Sequence, residues 1–246
     1  MPEGASIRSR LADVRERIAR AAGRAKRDPG SVRLVAISKT FPADAVRAAA
    51  DLGQLDFGEN KVQEALLKMD STSDLPLRWH LVGHLQSNKV KKAGSRFDVV
   101  HSIDQAPLVG KLDDAALAAE RRIDWLAQVD LAHEPTKHGA RIDDLMTIFE
   151  RASSCHASRV IGLMLIPPAV EDPEKARPFF RALRDLRSDL QERGVDPTRL
   201  TELSMGMSHD FEVAIEEGAT LVRVGSAIFG MRAAPLSIVP SRADRG

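Results

Sequence analysis

Short apolar runs alternate with longer amphipathic segments along most of the chain. Several of these runs are continuously hydrophobic, which is typical of parallel strands that are buried on both faces. The pattern predicts eight strands, at residues 34–38, 55–58, 78–82, 99–103, 125–131, 160–166, 202–205 and 221–225. Helical periodicity predicts seven helices that follow them, at residues 42–52, 60–69, 86–94, 106–121, 139–154, 173–193 and 208–217.

An extra amphipathic helix is predicted at residues 6–27, before the first strand. Leu11, Val14 and Ile18 recur there at helical spacing, and arginines occupy the other faces. The sequence DPG at residues 28–30 is expected to end this helix.

The repeated strand–helix units predict an α/β fold. Eight units in 246 residues match a single (β/α)8 barrel, for which about 250 residues is typical. A doubly wound open sheet shares this alternation and is the alternative. We expect one domain over residues 1–235, because no linker rich in Pro, Gly or Ser divides it, and a disordered tail at 236–246.

The composition argues against a nucleic-acid-binding protein, a membrane protein and a disulfide-bonded protein. The net charge of +1 provides no field that would attract nucleic acid or a membrane surface. No apolar run approaches the ~18–20 residues that a membrane span needs. Cys155 is the single cysteine, so we expect neither an internal disulfide nor a thiol metal cluster, and a reducing, cytoplasmic setting.

In a barrel, chemistry belongs at the C-terminal ends of the strands. Lys39 ends the first predicted strand, on the same face as Val35 and Ile37. A desolvated lysine, or one beside another cation, loses its proton more easily and becomes a nucleophile toward aldehydes. The alternative is a strand-end lysine that simply reaches solvent.

Two small, hydroxyl-bearing loops follow the seventh and eighth predicted strands, where barrels commonly hold phosphate. Gly225 and Ser226 precede what reads as one helical turn, whose free N–H groups would bind an anion. The other loop contributes further hydroxyls and backbone donors, from Ser204, Gly206, Met207 and Ser208. The alternatives are an ordinary glycine turn and, for Ser208, the N-cap of the next helix.

Arg223 lies within LVRVG, an otherwise apolar strand at residues 221–225. A buried guanidinium without a partner is very costly, so Arg223 needs a carboxylate or a ligand. Toward an aromatic nitrogen heterocycle, it would donate to the ring nitrogen and discourage protonation there. A pair with a glutamate in the barrel floor is the alternative.

Taken together, these parts describe one ligand. An aldehyde for Lys39, a phosphate for the two loops and a pyridine nitrogen for Arg223 indicate pyridoxal 5′-phosphate (PLP), held as a Schiff base. Asn60 either caps the helix after the second strand or bonds this ligand.

Other notable residues are expected to be structural. Three residues separate His80 from His84, but no glutamate follows His80 and the stretch reads as a strand and a turn, so we expect no metal. The remaining large side chains read as core, at Trp79, Met164 and Phe229.

The same segments carry a family resemblance. From about residue 7 to 231 the chain resembles the pyridoxal phosphate homeostasis protein family, in the stretches LVAISKTFP, DFGENKVQEAL, WHLVGHLQSNKVK, VHSIDQ, TKHG, GLMLIP and LSMGMSHDFEVAIEEGATLVRVGSAIFG. The resemblance implies a barrel similar to the N-terminal domain of fold-type III PLP enzymes such as alanine racemase.

The resemblance also implies the cofactor site. PLP would be bound to Lys39 as a Schiff base, with Arg223 at the pyridine nitrogen. Asn60 would lie near the cofactor and Met164 close to its ring. The phosphate would be held by Ser204, Gly225 and Ser226, with Gly206, Met207 and Ser208 nearby.

Two positions depart from the family pattern. Lys61 stands where the family often has an aromatic residue, and it is expected to change the local charge rather than the cofactor. Ser226 replaces a common threonine but keeps the hydroxyl.

The resemblance favours a carrier over an enzyme. Racemisation needs acid and base groups on both faces of the substrate carbon, and in alanine racemase-like enzymes a second domain of the partner subunit supplies a tyrosine. This chain has no such domain and no tyrosine. We therefore expect PLP buffering and delivery to apo-enzymes, without robust turnover, and a monomer in preference to a dimer.

Three alternatives remain at this point. One is a fold-type III enzyme such as an amino-acid racemase or decarboxylase. Another is an aldolase-type barrel whose lysine acts directly on a sugar phosphate without a cofactor. The third is a purely structural barrel, in which Arg223 pairs with a protein carboxylate.

Overall fold

Eight parallel strands pair in chain order, and the last pairs with the first, so that the sheet is a closed barrel. The computed structural model describes residues 6–132 and 138–230. Within these ranges the strands are β1 (Arg33–Ile37), β2 (Asp56–Glu59), β3 (Arg78–Leu81), β4 (Val99–Ile103), β5 (Ile123–Gln128), β6 (Ser158–Met164), β7 (Glu202–Met207) and β8 (Leu221–Val224). The (β/α)8 barrel is thereby confirmed and the doubly wound sheet excluded. The predicted tail lies outside the described residues.

In the described ranges seven helices lie between successive strands, as the periodicity predicts, one precedes β1 and one follows β8. They are α1 (Ile7–Arg24), α2 (Ala43–Ala50), α3 (Val62–Ser71), α4 (Val90–Arg96), α5 (Ala106–Ala118), α6 (Leu145–Ala152), α7 (Arg177–Glu192), α8 (Phe211–Glu216) and α9 (Ser226–Phe229). The largest difference from the sequence pattern is at α6, which was predicted to begin at residue 139. It begins later because Ala140 instead pairs with Val129 in an isolated parallel bridge.

The extra N-terminal helix α1 covers one side of the barrel. Its apolar stripe, which includes Leu11 and Val14, is buried, and the helix packs against α8 and α9. Arg10 reaches over the end of α9, where its Nε donates to the carbonyl of Ile228 at 2.7 Å. Helix α1 therefore supports the short helix that follows the last strand.

Two hydrophobic layers hold the fold together. The larger one lies between strands and helices and contains Trp79 and Phe229, which confirms both as core. The smaller one fills the barrel interior with alternate strand residues, Val35, Ile37, Val82, Val99, Leu126, Ile161, Met164 and Leu221. Val35 and Ile37 of β1 show the alternation directly, because successive strand residues point to opposite faces.

No helix in the described ranges is both long enough and apolar enough to cross a bilayer.

Candidate functional site

A cavity of about 690 Å³ lies at the C-terminal mouth of the barrel. Seven of the predicted site residues line it: Lys39, Asn60, Met207, Ser208, Arg223, Gly225 and Ser226. Its other lining residues are Ile37, Phe41, Val82, Ile166, His209 and Gly230. The predicted residues Met164, Ser204 and Gly206 are not among those that line it.

Lys39 is carried by a tight turn at the end of β1. The N–H of Phe41 donates to the carbonyl of Ser38 at 3.0 Å, which closes the turn. Thr40 has a φ of 69° in the left-handed region, which is unusual for a β-branched residue. The Glu64 carboxylate accepts the N–H of Thr40 and holds it there. Lys39 is half-buried and faces the cavity, as the alternation with Val35 and Ile37 predicts.

A buried ion pair between Lys68 and Glu59 stabilises this turn. The ammonium of Lys68 lies 2.6 Å from Glu59 Oε1, 2.9 Å from Glu64 Oε1 and 2.7 Å from the carbonyl oxygen of Ser38. The hydroxyl of Ser38 donates to the same Glu59 oxygen at 2.6 Å. Burial raises the pKa of Glu59 even though Lys68 and Ser38 favour its ionised form. The residues on either side of Lys39 are therefore tied to charged groups inside the protein.

Arg223 reaches the cavity from β8, the strand next to β1. Its Nη1 donates to the hydroxyl of Ser204 at 2.6 Å, and its Nη2 donates to the carbonyl of Leu165 at 2.9 Å. No carboxylate in the described ranges forms an ion pair with it, so the alternative of a pair with a glutamate is excluded for this part of the chain. Burial lowers the pKa of Arg223 to about 10, and Asp210 opposes that shift. The guanidinium therefore stays charged at neutral pH.

A bulge in β7 shapes the loop beside Arg223. In the pairing with β8, Ser204 is opposite Leu221 and Met207 is opposite Arg223, so β7 carries one additional residue. Gly206 within it has a φ of +90°, and an added Cβ would come within 2.9 Å of the Phe211 Cα. The bulge shifts the strand's alternation, which brings Met207 to the cavity.

The hydroxyl oxygen of Ser208 accepts hydrogen bonds from two backbone N–H groups of the loop after β8. It accepts the N–H of Gly225 at 3.1 Å and the N–H of Ala227 at 3.5 Å. Helix α8 begins only at Phe211, with Asp210 in the N-cap position, so Ser208 is not the cap of that helix. The two predicted phosphate loops are in contact.

Ser204 and Met164 lie below the lining of the cavity, which confirms the prediction that Met164 belongs to the core. Both are fully buried and directly opposite each other on β7 and β6. The hydroxyl of Ser204 contacts Arg223 and His101 rather than the cavity. Met164 packs in the interior layer with Ile37 and Val82, two side chains that do line the cavity.

Asn60 is held at the cavity by a close approach of two strand ends. A Cβ at Gly83 would lie 2.2 Å from the carbonyl oxygen of Asn60, so only glycine fits there. Lys61, which departs from the family pattern, is exposed and does not line the cavity.

The two histidines of HLVGH have separate environments. His80 lies in the barrel interior, whereas His84 lies at the mouth near Asp104 and His138. The rings of His84 and His138 stack at 3.6 Å between centroids. Burial lowers the pKa of His84, and the charge of His138 adds to this effect.

The sequence reasoning missed the apolar walls of the cavity and a buried polar network. Nothing in the sequence indicated that Phe41 and Ile166 line a cavity, because an apolar residue after a strand is equally typical of the core. His101 could have been found, since a polar residue within the apolar strand VVHSI is as unusual as Arg223 within LVRVG.

Comparisons with known proteins show the family of this chain. Residues 9–233 match the family described as alanine racemase, N-terminal domain. The pyridoxal phosphate homeostasis protein of Aquifex aeolicus is 44% identical over 223 residues, which cover 91% of this chain and 97% of that protein. This chain belongs to the pyridoxal phosphate homeostasis protein family.

Solved structures of related proteins extend this result. PipY of Synechococcus elongatus, solved with PLP bound, is similar to this member of the family with a TM-score of 0.81 at 40% identity, over 92% of this chain and 100% of that one. An alanine racemase of Clostridium difficile matches 93% of this chain and 57% of its own length, with a TM-score of 0.68. At 14% identity the racemase shows a shared fold alone.

Proposed function

We propose that this protein binds PLP at the C-terminal mouth of its barrel, as a Schiff base on Lys39, and serves PLP homeostasis by buffering and delivering the cofactor. The observation that carries the proposal is the meeting of Lys39 and Arg223 in one cavity with the two hydroxyl-bearing loops. The related PipY, solved with PLP bound, supports the same ligand.

The residues present fit PLP. A cavity of about 690 Å³ is in the range of small-molecule sites. A guanidinium has five N–H donors, so Arg223 retains donors beyond those directed at Ser204 and Leu165. Arg223 would donate to the pyridine nitrogen, and its positive charge would disfavour protonation of that nitrogen.

The phosphate is assigned to the loops after β7 and β8. The N–H groups of Gly225 and Ala227 already converge on the oxygen of Ser208, which shows that they can share one acceptor. A phosphate oxygen would compete for the same donors, assisted by the hydroxyls of Ser208 and Ser226. Ser204 is assigned to Arg223 instead, because its hydroxyl accepts from the guanidinium.

The remaining predicted residues have supporting roles. Asn60 and Met207 flank the ligand from the lining of the cavity. Gly206 permits the bulge that presents Met207, and Met164 packs in the interior layer shared with Ile37.

A role without robust turnover agrees with the chemistry of the site. Bound PLP acts in enzymes as an electron sink, and an arginine at the pyridine nitrogen weakens that sink. The chain contains no tyrosine to act as an acid or base. Its relatives are named as homeostasis proteins. We further propose a cytoplasmic protein that acts as a monomer and passes PLP to apo-enzymes.

The test is an absorption spectrum of the purified protein before and after borohydride, followed by mass mapping of the modified peptide. We expect a band near the visible edge and a modification on Lys39. Lys39→Ala should abolish both, whereas Lys61→Ala should keep them, because Lys61 is exposed and outside the cavity lining. A Lys39→Ala protein that kept its colour would refute the assignment.

A second measurement separates carrier from enzyme. Incubation of the loaded protein with an apo-enzyme should restore the enzyme's activity, and alanine or serine should not be racemised. Racemisation at about 1 s⁻¹ or faster, an ordinary enzyme rate, would favour the enzyme.

A further inference from the structure

A continuous chain of hydrogen bonds crosses the barrel interior from Arg223. Its guanidinium contacts the Ser204 hydroxyl at 2.6 Å, and that hydroxyl lies 2.8 Å from His101 Nδ1. His101 Nε2 lies 2.8 Å from His80 Nδ1, and His80 Nε2 lies 2.9 Å from Asp56 Oδ1. Ser204, His101 and His80 are fully buried, and Asp56 begins β2 at the opposite mouth of the barrel.

The two ends of this chain and the neutral state of the imidazoles together set the direction of every bond. Arg223 can only donate, so the Ser204 oxygen accepts from it. An ionised Asp56 can only accept, so His80 donates from Nε2, and a neutral His80 accepts at Nδ1. His101 then donates from Nε2 to His80, and a neutral His101 accepts the Ser204 hydrogen at Nδ1. In this state both imidazoles carry hydrogen on Nε2.

The surrounding charges agree with neutral imidazoles. Burial lowers the pKa of His80, and it lowers the pKa of His101 well below the ordinary range. Burial opposes the ionised form of Asp56, but the hydrogen bond with His80 and the nearby charges of Arg33 and Arg78 outweigh it, so the pKa of Asp56 is lowered.

We propose that Asp56 is the remote counter-ion of Arg223, and that Ser204, His101 and His80 form a one-way relay that connects the two charges. The relay compensates a buried guanidinium without placing a carboxylate on the donors that face the cavity. Asp56 is thus a positioning residue for the cofactor, a role that rests on the proposed function. Asp210 lies closer and its charge favours the ionised form of Arg223, but its carboxylate accepts the N–H of Met207 at 2.6 Å and forms no ion pair with the guanidinium.

The relay is tested first in the cofactor-free protein, by the nitrogen chemical shifts of labelled histidines. We expect His80 and His101 to be neutral and to carry hydrogen on Nε2 in the wild type. Asp56→Asn keeps an acceptor for His80 and should preserve both tautomers. In Asp56→Ala no acceptor fixes the hydrogen of His80 on Nε2, so a mixture of its two tautomers is expected. A wild-type His101 that is protonated, or that carries hydrogen on Nδ1, overturns the relay whether or not PLP binds.

The charge is tested by PLP binding. Asp56→Asn should weaken PLP affinity about tenfold, the lower end of the effect seen when a group that supports a ligand-binding residue is changed, and should shift the absorption maximum. The matched control is Asp124→Asn, since Asp124 lies near the start of β5 at the same mouth but pairs with Arg78 and Arg159 outside the relay. Unchanged affinity in Asp56→Asn, or equal losses in both variants, overturns Asp56 as the counter-ion. A wild type that fails to bind PLP would instead refute the proposed function.

Discussion

The guanidinium of Arg223 donates to the hydroxyl of Ser204 across 2.6 Å, between neighbouring strands of a closed barrel. Both side chains are buried, and the acceptor is neutral. A hydroxyl satisfies one donor without cancelling the positive charge, so Arg223 presents a full charge to the cavity.

Ser204→Ala is expected to destabilise the protein by about 2–3 kcal/mol, because a buried charged donor loses its acceptor. The matched control is Ser102→Ala, since the buried hydroxyl of Ser102 donates to the carbonyl of Gly83 at 2.7 Å and involves no charge. That control should cost about 1 kcal/mol. Urea unfolding measures both, and equal losses would contradict the argument from charge.

Lys68→Met is expected to cost about 3–5 kcal/mol, because it leaves the buried Glu59 carboxylate without its cation. The same change should release the Ser38 carbonyl and loosen the turn that carries Lys39. Replacing both partners, as Lys68→Met with Glu59→Gln, should recover much of the loss because no charge stays stranded. A double variant as unstable as Lys68→Met in urea unfolding would show that the ion pair is not the cause.

Gly83→Ala is expected to destabilise the protein by about 1–3 kcal/mol and to weaken PLP retention. The added Cβ would lie 2.2 Å from the Asn60 carbonyl oxygen and would push that residue out of the cavity wall. Gly23→Ala in α1 is the control, since its Cβ meets nothing within 4 Å, and it should stabilise by about 0.5–1 kcal/mol. Thermal unfolding and PLP titration measure the two effects. Unchanged stability and unchanged PLP affinity in Gly83→Ala would contradict the prediction.

Stability is expected to fall as the pH decreases from about 7.5 to 5.5. Burial lowers the pKa of His80 and His101 in the folded protein, whereas an unfolded histidine titrates near 6.5. Below that pH the unfolded chain binds protons that the folded chain excludes, so the free energy of unfolding drops by up to about 1.4 kcal/mol per pH unit for each histidine.

The contribution of one histidine can be separated by comparison with His101→Asn. This variant should show a shallower slope of unfolding free energy against pH, by about one proton. The comparison removes the contributions that other titrating groups make to the slope in both proteins. One of these is Glu59, whose raised pKa changes the free energy of unfolding with pH in the opposite direction. Identical slopes would mean that His101 titrates alike in both states.

The sequence by itself determined the alternation of strands and helices and the polar residues of the cavity. The period of two along β1 placed Lys39 on the inner face with Val35 and Ile37, and parallel strands bring all their C-terminal ends to one mouth. Lys39, Arg223 and the loops after β7 and β8 were therefore expected at one end before any contact was known.

Only the tertiary structure decided what lies across the barrel. Periodicity states which face a side chain occupies, but the opposing strand is set by the closure and register of the sheet. Arg223 therefore donates to the hydroxyl of Ser204 rather than to a glutamate, and His101 of β4 forms a hydrogen bond with Ser204 of β7. The bulge at Gly206 likewise brought Met207 to the cavity, because one additional residue reverses the alternation of a strand.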